Sequence, residues 1–349
     1  MQRIKINSET GGSVLVIGGR VGDLSGYLPD KRLFIITDTN VKRLYGDSFP
    51  PGTVLTVEAG EQSKSLDVVG DLCSGLLENG ADRSSFILGF GGGVVCDIAG
   101  LVASLYMRGV SHGFVSTTLL SQVDASIGGK TGVNLGSWKN LIGTFRQPEF
   151  VICDQSMLST LPEEEYLSGI GELIKHAVIR DRKLFFEMAD ALPKILERDP
   201  ALLEDFIFRS VSIKASIVRR DPFERGSRRL LNFGHTFGHP IEMATGLPHG
   251  IAVMKGMLIA SELSVWTGEM PIDEQRLLEE TLLRLVPAAD DDLPADIITR
   301  VSRDKKSETG VLNFVLLRSV GKSVVKRISF SGIEAFLENR NKNKHRQQR

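Results

Sequence analysis

Ser85-Phe86-Ile87-Leu88-Gly89-Phe90-Gly91-Gly92-Gly93-Val94-Val95-Cys96-Asp97 is the stretch that decides how this chain is read. An apolar run runs straight into glycines, and a helical pattern follows at once. Each glycine gives up chain entropy on folding, so so many together mark a sharp turn or a close approach to something bound. A strand feeding a glycine turn that opens a helix presents bare N–H groups and the positive end of the helix dipole to a phosphate. Further on come Arg108-Gly109, the polar turn Ser116-Thr117-Thr118, Asp124, Gly128-Gly129-Lys130-Thr131-Gly132 and Lys139-Asn140. That density of cations, hydroxyls and glycines points to a second anionic group beside the first. Two standard motifs fail here: G-x-G-x-x-G needs glycine where Val94 stands, and the P-loop needs one where Asp124 stands. The design is a phosphate-binding one of another kind, or a set of tight α/β turns.

Outward from this stretch, short β-rich runs alternate with helical segments up to about residue 155. Ser13 to Ile17, Leu33 to Thr37, Thr53 to Val57, Ser85 to Leu88, Gly113 to Val115 and Phe150 to Cys153 read as strands, and Leu66 to Leu77 as a helix with one buried face. Such alternation predicts a mostly parallel sheet covered by helices, with ligands at the carboxyl ends of the strands. Asp38 and Asn40, Glu61 and Lys64, and Gly91 to Gly93 follow strand ends. An acid there can hold ribose hydroxyls or serve only as a turn residue.

Near residue 160 the strands almost disappear. Leu161-Pro162-Glu163-Glu164-Glu165 is a helix start, with an early proline and carboxylates in the first turn. Helical patterns run through Tyr166 to Ile179, Leu184 to Leu196, Leu202 to Arg219, Phe237 to Ala244, Ile251 to Trp266 and Glu274 to Leu285. An apolar hairpin, Val311 to Leu317 with Ser323 to Ile328, and a helix from Gly332 close the chain. We expect an α/β domain over residues 1–160 and a mainly α-helical one over residues 161–349.

The 349 residues are 42% hydrophobic with a formal net charge of -1, so a core can form and no global field draws nucleic acid or an acidic membrane surface. Any cationic site is local. Cys73, Cys96 and Cys153 lack the spacing of a zinc knuckle or redox pair and read as reduced core thiols of a cytoplasmic protein. No apolar run approaches the ~20 residues that span a bilayer.

Three of the six histidines fall in Gly234-His235-Thr236-Phe237-Gly238-His239 and Leu247-Pro248-His249-Gly250. His235 and His239 share one face if the segment is helical. The zincin helix is not met, because Thr236 stands where its glutamate belongs. Glu172, in Gly171-Glu172-Leu173-Ile174-Lys175-His176, is the best carboxylate to join two of these histidines. A site of two histidines and one glutamate leaves a position open, which is the catalytic type of zinc centre. Hydrogen-bonded core histidines are the plain alternative. Lys175 projects from the same side as Glu172.

Together these blocks, with Met107-Arg108-Gly109-Val110, Thr117-Thr118-Leu119-Leu120-Ser121-Gln122-Val123-Asp124, Lys139-Asn140-Leu141-Ile142-Gly143 and Leu231-Asn232-Phe233-Gly234-His235, resemble the 3-dehydroquinate synthase family of sugar phosphate cyclases from about Asp38 to Leu317. The resemblance implies a Rossmann-like NAD-binding α/β domain joined to a helical metal-binding domain. It implies Glu172, His235 and His249 as ligands of a divalent metal, zinc or cobalt. NAD would be held by Asp38, Asn40, Glu61, Lys64, Gly92, Gly93, Val94, Asp97, Thr117, Thr118, Asp124, Lys130, Lys139, Thr160 and Glu165. The phosphate and carboxylate of a phosphorylated sugar-acid substrate would meet Lys130, Asn140, Lys175, Lys214, Arg228, Asn232, His239 and Lys305 or Lys306. Arg108 matches a residue that in the family crosses a dimer interface, which implies a homodimer.

The implied chemistry converts 3-deoxy-D-arabino-heptulosonate 7-phosphate to 3-dehydroquinate and phosphate, a shikimate pathway step. It runs by transient NAD oxidation, phosphate elimination, re-reduction and aldol closure. Ile251, Pro240 and Leu135-Gly136 depart from the commoner family pattern. They leave room for a sister cyclase with another substrate; a metal- and NAD-dependent polyol dehydrogenase is the nearest different chemistry.

Overall fold

The structure is a computed structural model that describes residues 1–136, 138–286, 293–294, 297 and 310–347. The chain divides into two compact units, Met1–Gly169 with Pro193–Glu224, and Ile170–Leu192 with Arg225–Arg349.

In the first unit the strands are β1 (Gln2–Ser8), β2 (Gly11–Ile17), β3 (Leu33–Asp38), β4 (Thr53–Val57), β5 (Phe86–Gly91), β6 (Ser111–Ser116) and β9 (Phe150–Cys153), with a separate hairpin of β7 (Lys130–Leu135) and β8 (Trp138–Phe145). The seven-stranded sheet runs β1-β2-β9-β6-β5-β3-β4. Only β1 is antiparallel to its neighbour. All six residues of β5 are buried, as a strand covered on both faces requires. On one side Leu33, Ile35, Phe86, Leu88, Phe150 and Ile152 pack together, with the Phe86 and Phe150 rings stacked at 5.8 Å.

Helices α1 (Thr39–Tyr45), α2 (Leu66–Glu78) and α3 (Gly93–Leu105) alternate with the strands. α3 must come close to β5, and Gly89 allows it: a Cβ there would lie 2.9 Å from the Ala99 Cβ and 2.8 Å from the Phe114 ring. The chain leaves β3 toward β4 on one side and β5 toward β6 on the other. The ends of β3 and β5, at Asp38 and Gly91, therefore flank the point where strand order reverses, which is where open α/β sheets bind ligands.

β1 and the β7–β8 pair lie outside the expected strands. β8 is exposed or half-buried throughout, so it lacks the apolar alternation that reveals a strand. α7 (Pro200–Arg220) packs against β1 and β2 in the first unit.

In the second unit are most of α4 (Glu163–Arg180), α5 (Arg182–Asp190), α8 (His235–Thr245), α9 (His249–Trp266), α10 (Ile272–Leu283), the hairpin β10 (Val311–Ser319) with β11 (Lys322–Ser329), and α11 (Phe330–Gln347). α9 buries 13 of its residues, which is the behaviour of a helix apolar all round. Phe237 of α8 packs on Phe314 of β10 at 5.7 Å between ring centroids. The single helix expected over Leu184 to Leu196 is two: α5 ends at Asp190, capped by Ala191, and α6 (Leu192–Leu196) restarts with Pro193, whose missing N–H and preceding-residue clash break the ladder. Among the described residues no helix is long and apolar enough to cross a membrane.

Gly89→Val, which drives a branched side chain into Ala99 and Phe114, is expected to lower stability by about 1–3 kcal/mol, the usual cost of overpacking. Urea unfolding reads this directly; an unchanged midpoint would contradict the close β5–α3 packing.

Candidate active site

Three helices of the second unit bring their polar groups to one place. Glu172 of α4 is fully buried, and its Oε1 lies 3.7 Å from Nε2 of His235 and 3.7 Å from Nε2 of His249. Those separations are too long for hydrogen bonds. Two ligands of one tetrahedral ion, each about 2.0–2.2 Å from it, stand about 3.3–3.5 Å apart, so the spacing suits a shared cation. Oε1 accepts no hydrogen bond from a described residue, while Oε2 is ion-paired with the buried Lys175 ammonium. A buried carboxylate oxygen left in this way is costly unless a cation completes it.

Each histidine is held by its other nitrogen. Nδ1 of His235 faces the Phe233 carbonyl at 3.2 Å, and Nδ1 of His249 faces the Glu242 carboxylate at 3.0 Å. Outer partners of this kind fix the tautomer that leaves Nε2 for a metal. Burial alone would lower the His249 pKa, but the Glu242 bond and the charges of Glu172 and Glu242 raise it above its ordinary 6.5. Two histidines and one carboxylate therefore fit a divalent ion with an open position. His239 stands beside them, 5.2 Å from the His235 ring and 5.8 Å from the His249 ring. A second possible group, His239, Glu242 and His249, shares His249, but there the Nδ1 to Glu242 contact is already a hydrogen bond.

The backbone makes this convergence possible. A Cβ at Gly171 of α4 would stand 2.5 Å from the Gly250 carbonyl oxygen at the start of α9, so these helices touch main chain to main chain one residue from Glu172 and one from His249. In the same unit the turn Ser227–Asn232 carries the buried Arg228 and the half-buried Asn232.

The first unit gathers the other expected residues. Gly92 caps α3, whose first residues are Gly93 and Val94. Thr117 donates its N–H to the Gly91 carbonyl at 3.0 Å, and Thr118 bonds Ser121. Asp38 caps α1, accepting the Val41 N–H at 2.9 Å, with Asn40 exposed on that helix. Lys64, nearly buried, donates to Asp97 at 2.6 Å and to the Asn140 side chain at 2.5 Å, with Glu61 at 3.9 Å. Burial pushes the Asp97 carboxyl up, against the pull of the Lys64 ammonium.

Lys214 of α7 donates to the Asp124 carboxylate at 2.6 Å and to its carbonyl at 2.5 Å. Asp124 lies in a π-helical turn, Ser121–Ala125, a distortion that favours functional positions. Lys130, half-exposed, pairs with Glu224. Thr160 bonds Tyr45 at 2.5 Å; Lys139 and Glu165 are exposed, and so is Arg108, on a turn where Met107 and Arg108 have φ of 48° and 66°. Lys305 and Lys306 lie outside the described residues.

Two carboxylates escaped the sequence reading. Glu224 sits in a charged turn that reads as solvated surface, and no spacing marks it. Glu242 lies three residues beyond His239 and seven beyond His235, so helical periodicity on α8 was a usable signal.

Two family models match, described as 3-dehydroquinate synthase N-terminal over residues 54–168 and 3-dehydroquinate synthase C-terminal over residues 169–307. A 3-dehydroquinate synthase of Acidithiobacillus ferrooxidans is 42% identical over 86% of this chain and 89% of its own length. One of Solibacter usitatus is 39% identical over 92% and 93%. Among solved structures, 2-deoxy-scyllo-inosose synthase complexed with carbaglucose-6-phosphate, NAD+ and Co2+ has a TM-score of 0.85 at 28% identity, over 97% of this chain and 100% of that one. ValA, the 2-epi-5-epi-valiolone synthase of Streptomyces hygroscopicus with NAD+ and Zn2+ bound, has a TM-score of 0.86 at 27% identity over 98% of each chain. A probable glycerol dehydrogenase of Sinorhizobium meliloti, with a TM-score of 0.57 at 18% identity over 87% of this chain and 92% of that one, shares the fold alone. With both halves of the chain matched and relatives near 40% identity along most of its length, the chain belongs to the 3-dehydroquinate synthase family.

Proposed function

We propose that this protein catalyses the 3-dehydroquinate synthase reaction, converting 3-deoxy-D-arabino-heptulosonate 7-phosphate to 3-dehydroquinate and phosphate. The observation that carries the reading is the meeting of the buried Glu172 carboxylate with two Nε2 atoms at 3.7 Å, in a chain of this family. Glu172, His235 and His249 hold a divalent metal, zinc or cobalt, and the α3 N-terminus with Asp38, Glu61, Lys64 and Asp97 holds NAD. When bound, NAD supplies a transient hydride acceptor, and the metal supplies Lewis-acid polarisation of a substrate oxygen.

The chain's own residues then orient and neutralise the substrate. By the family match, Lys130, Asn140, Lys175, Lys214, Arg228, Asn232 and His239 are the donors for its phosphate and carboxylate. Fixed cations stabilise the charge that grows on a departing phosphate. Lys130, Lys175 and Lys214 each face a carboxylate, which aims the ammonium. His239 carries a ring nitrogen able to hold a proton beside the ligand trio. Residues 1–160 serve as the NAD-binding domain and 161–349 as the metal- and substrate-binding one, although α7 packs with the first. The family match of the exposed Arg108 supports a homodimer in which that side chain reaches the partner, and a cytoplasmic setting suits the three free thiols.

A sister cyclase is the second reading, favoured by the structural likeness to 2-deoxy-scyllo-inosose synthase. Sequence identity is higher to the dehydroquinate synthases, at 42% against 28%.

Inorganic phosphate and absorbance at 340 nm, followed together with NAD, zinc and the heptulosonate phosphate, test the reaction. Stoichiometric phosphate with no lasting NADH signal is expected. No phosphate from folded, metal-loaded protein would move the assignment to a sister cyclase, and steady NADH formation to a dehydrogenase.

Glu172→Gln and His249→Ala are each expected to lower zinc retention against a chelator at least about 100-fold, beyond the loss seen for outer partners of metal ligands, and to abolish turnover. NAD binding should persist. Full activity without bound metal would contradict the assigned ligands.

A further inference from the structure

The loop that carries Asn140 is held by a residue to which no role has been given. Between Val133 and Leu135 the β7–β8 register jumps from Ile142 to Trp138, so β8 carries two residues more than β7 at that point. Such bulges cluster beside active sites, where they re-aim a side chain. Asn140 lies in the bulge with φ of 53°, the left-handed region, which asparagine tolerates better than most residues and which a hydrogen bond to its backbone can select.

The group that makes this bond is Asn134, the β7 residue opposite. Its Oδ1 accepts the Asn140 backbone N–H at 2.9 Å, in place of the missing ladder bond. Its Nδ2 donates to the Glu61 carboxylate at 2.9 Å, and its own N–H donates to the Lys64 carbonyl at 2.8 Å. Lys64 in turn reaches the Asn140 Oδ1 at 2.5 Å and Asp97 at 2.6 Å. The bonding pattern settles the orientation of the Asn134 amide, since only the oxygen can accept an N–H and only the nitrogen can donate to a carboxylate. The Glu61–Lys64 segment and the β7–β8 hairpin therefore meet at this side chain, and Asp97 joins them through Lys64.

We propose that Asn134 is a positioning residue that locks the phosphate-directed Asn140 to the dinucleotide-directed Glu61 and Lys64, so that NAD and phosphate bind cooperatively. This rests on the assignment of Glu61, Lys64 and Asn140 made under the proposed function. Without Asn134, Asn140 relaxes out of the left-handed region, and Glu61 loses its donor. With it, either ligand orders the loop that the other uses, which is a coupling between two sites through one shared element.

Two variants separate the two bonds. Asn134→Ala removes both. Asn134→Asp keeps the oxygen that accepts the Asn140 N–H but sets a carboxylate against Glu61. The readouts, on full-length metal-loaded protein, are hydrogen exchange of the Asn140 amide and calorimetric binding of inorganic phosphate and of NAD, each alone and with the other present.

Asn134→Ala is expected to deprotect the Asn140 amide, weaken phosphate about three- to tenfold, as the loss of one partly exposed hydrogen bond does, and bring NAD–phosphate coupling close to one. Asn134→Asp is expected to keep the amide protected and phosphate affinity near wild type while weakening NAD. Equal amide protection in wild type and Asn134→Ala, or wild-type coupling in Asn134→Ala, overturns the inference. Absence of NAD binding to the wild-type protein overturns the functional reading itself and the coupling with it, whereas the amide measurement still judges the positioning role.

Discussion

A carboxylate buried without enough donors is the constraint on which the second unit turns. Glu172 is fully enclosed, and one ammonium, Lys175, stands against it. Desolvating an anion costs several kcal/mol even after relaxation, on the order of the whole stability margin of a domain. The structure meets this with the Lys175 cation and with two imidazoles whose Nε2 atoms face Oε1. The helix contact at Gly171 and Gly250 and the anchoring of both Nδ1 atoms serve that arrangement. Removing any of them leaves a buried charge poorly matched, so packing and chemistry are the same problem here.

The first unit faces a different problem, the placing of cations in a chain with almost no net charge. Strand order reverses between β3 and β5, and the open end of that crevice gathers the Asp38 cap, the Gly92–α3 terminus and the Lys64 cluster. Lys64, Lys130 and Lys214 each face a carboxylate. A local cation field can then exist in a chain whose formal net charge is -1, because each charge is positioned by a counter-charge that an anionic ligand can join.

Much of this was legible in the sequence where periodicity is strong. Thr53–Val57 and Phe150–Cys153 were placed to the residue, the first as a β-branched run after Pro51-Gly52 that forms a half-buried edge strand, the second as a fully buried apolar run. The cluster of Glu172, His235 and His249 was within reach because histidine and glutamate are among the few residue types suited to a metal and stand in short distinctive blocks, although residue pattern alone left His239 as an equal candidate. What brings the Nε2 atoms of His235 and His249 to 3.7 Å from Glu172 Oε1 is tertiary geometry, which no spacing reveals. β7–β8 escaped notice because its exposed strand has no apolar alternation, and Glu224 because a turn carboxylate looks like solvated surface until its partner Lys130, 94 positions away, is seen beside it. The break at Ala191 was signalled by Pro193 and was overridden by an apolar pattern that continues across it.

The most direct test of the central claim is the anomalous scattering of zinc in crystals of the metal-loaded protein. The account predicts a single strong peak coordinated by Glu172, His235 and His249 at about 2.0–2.2 Å, with His239 outside the coordination shell. A peak bound by His239 and Glu242, or none near Glu172 in zinc-saturated and active protein, would contradict it.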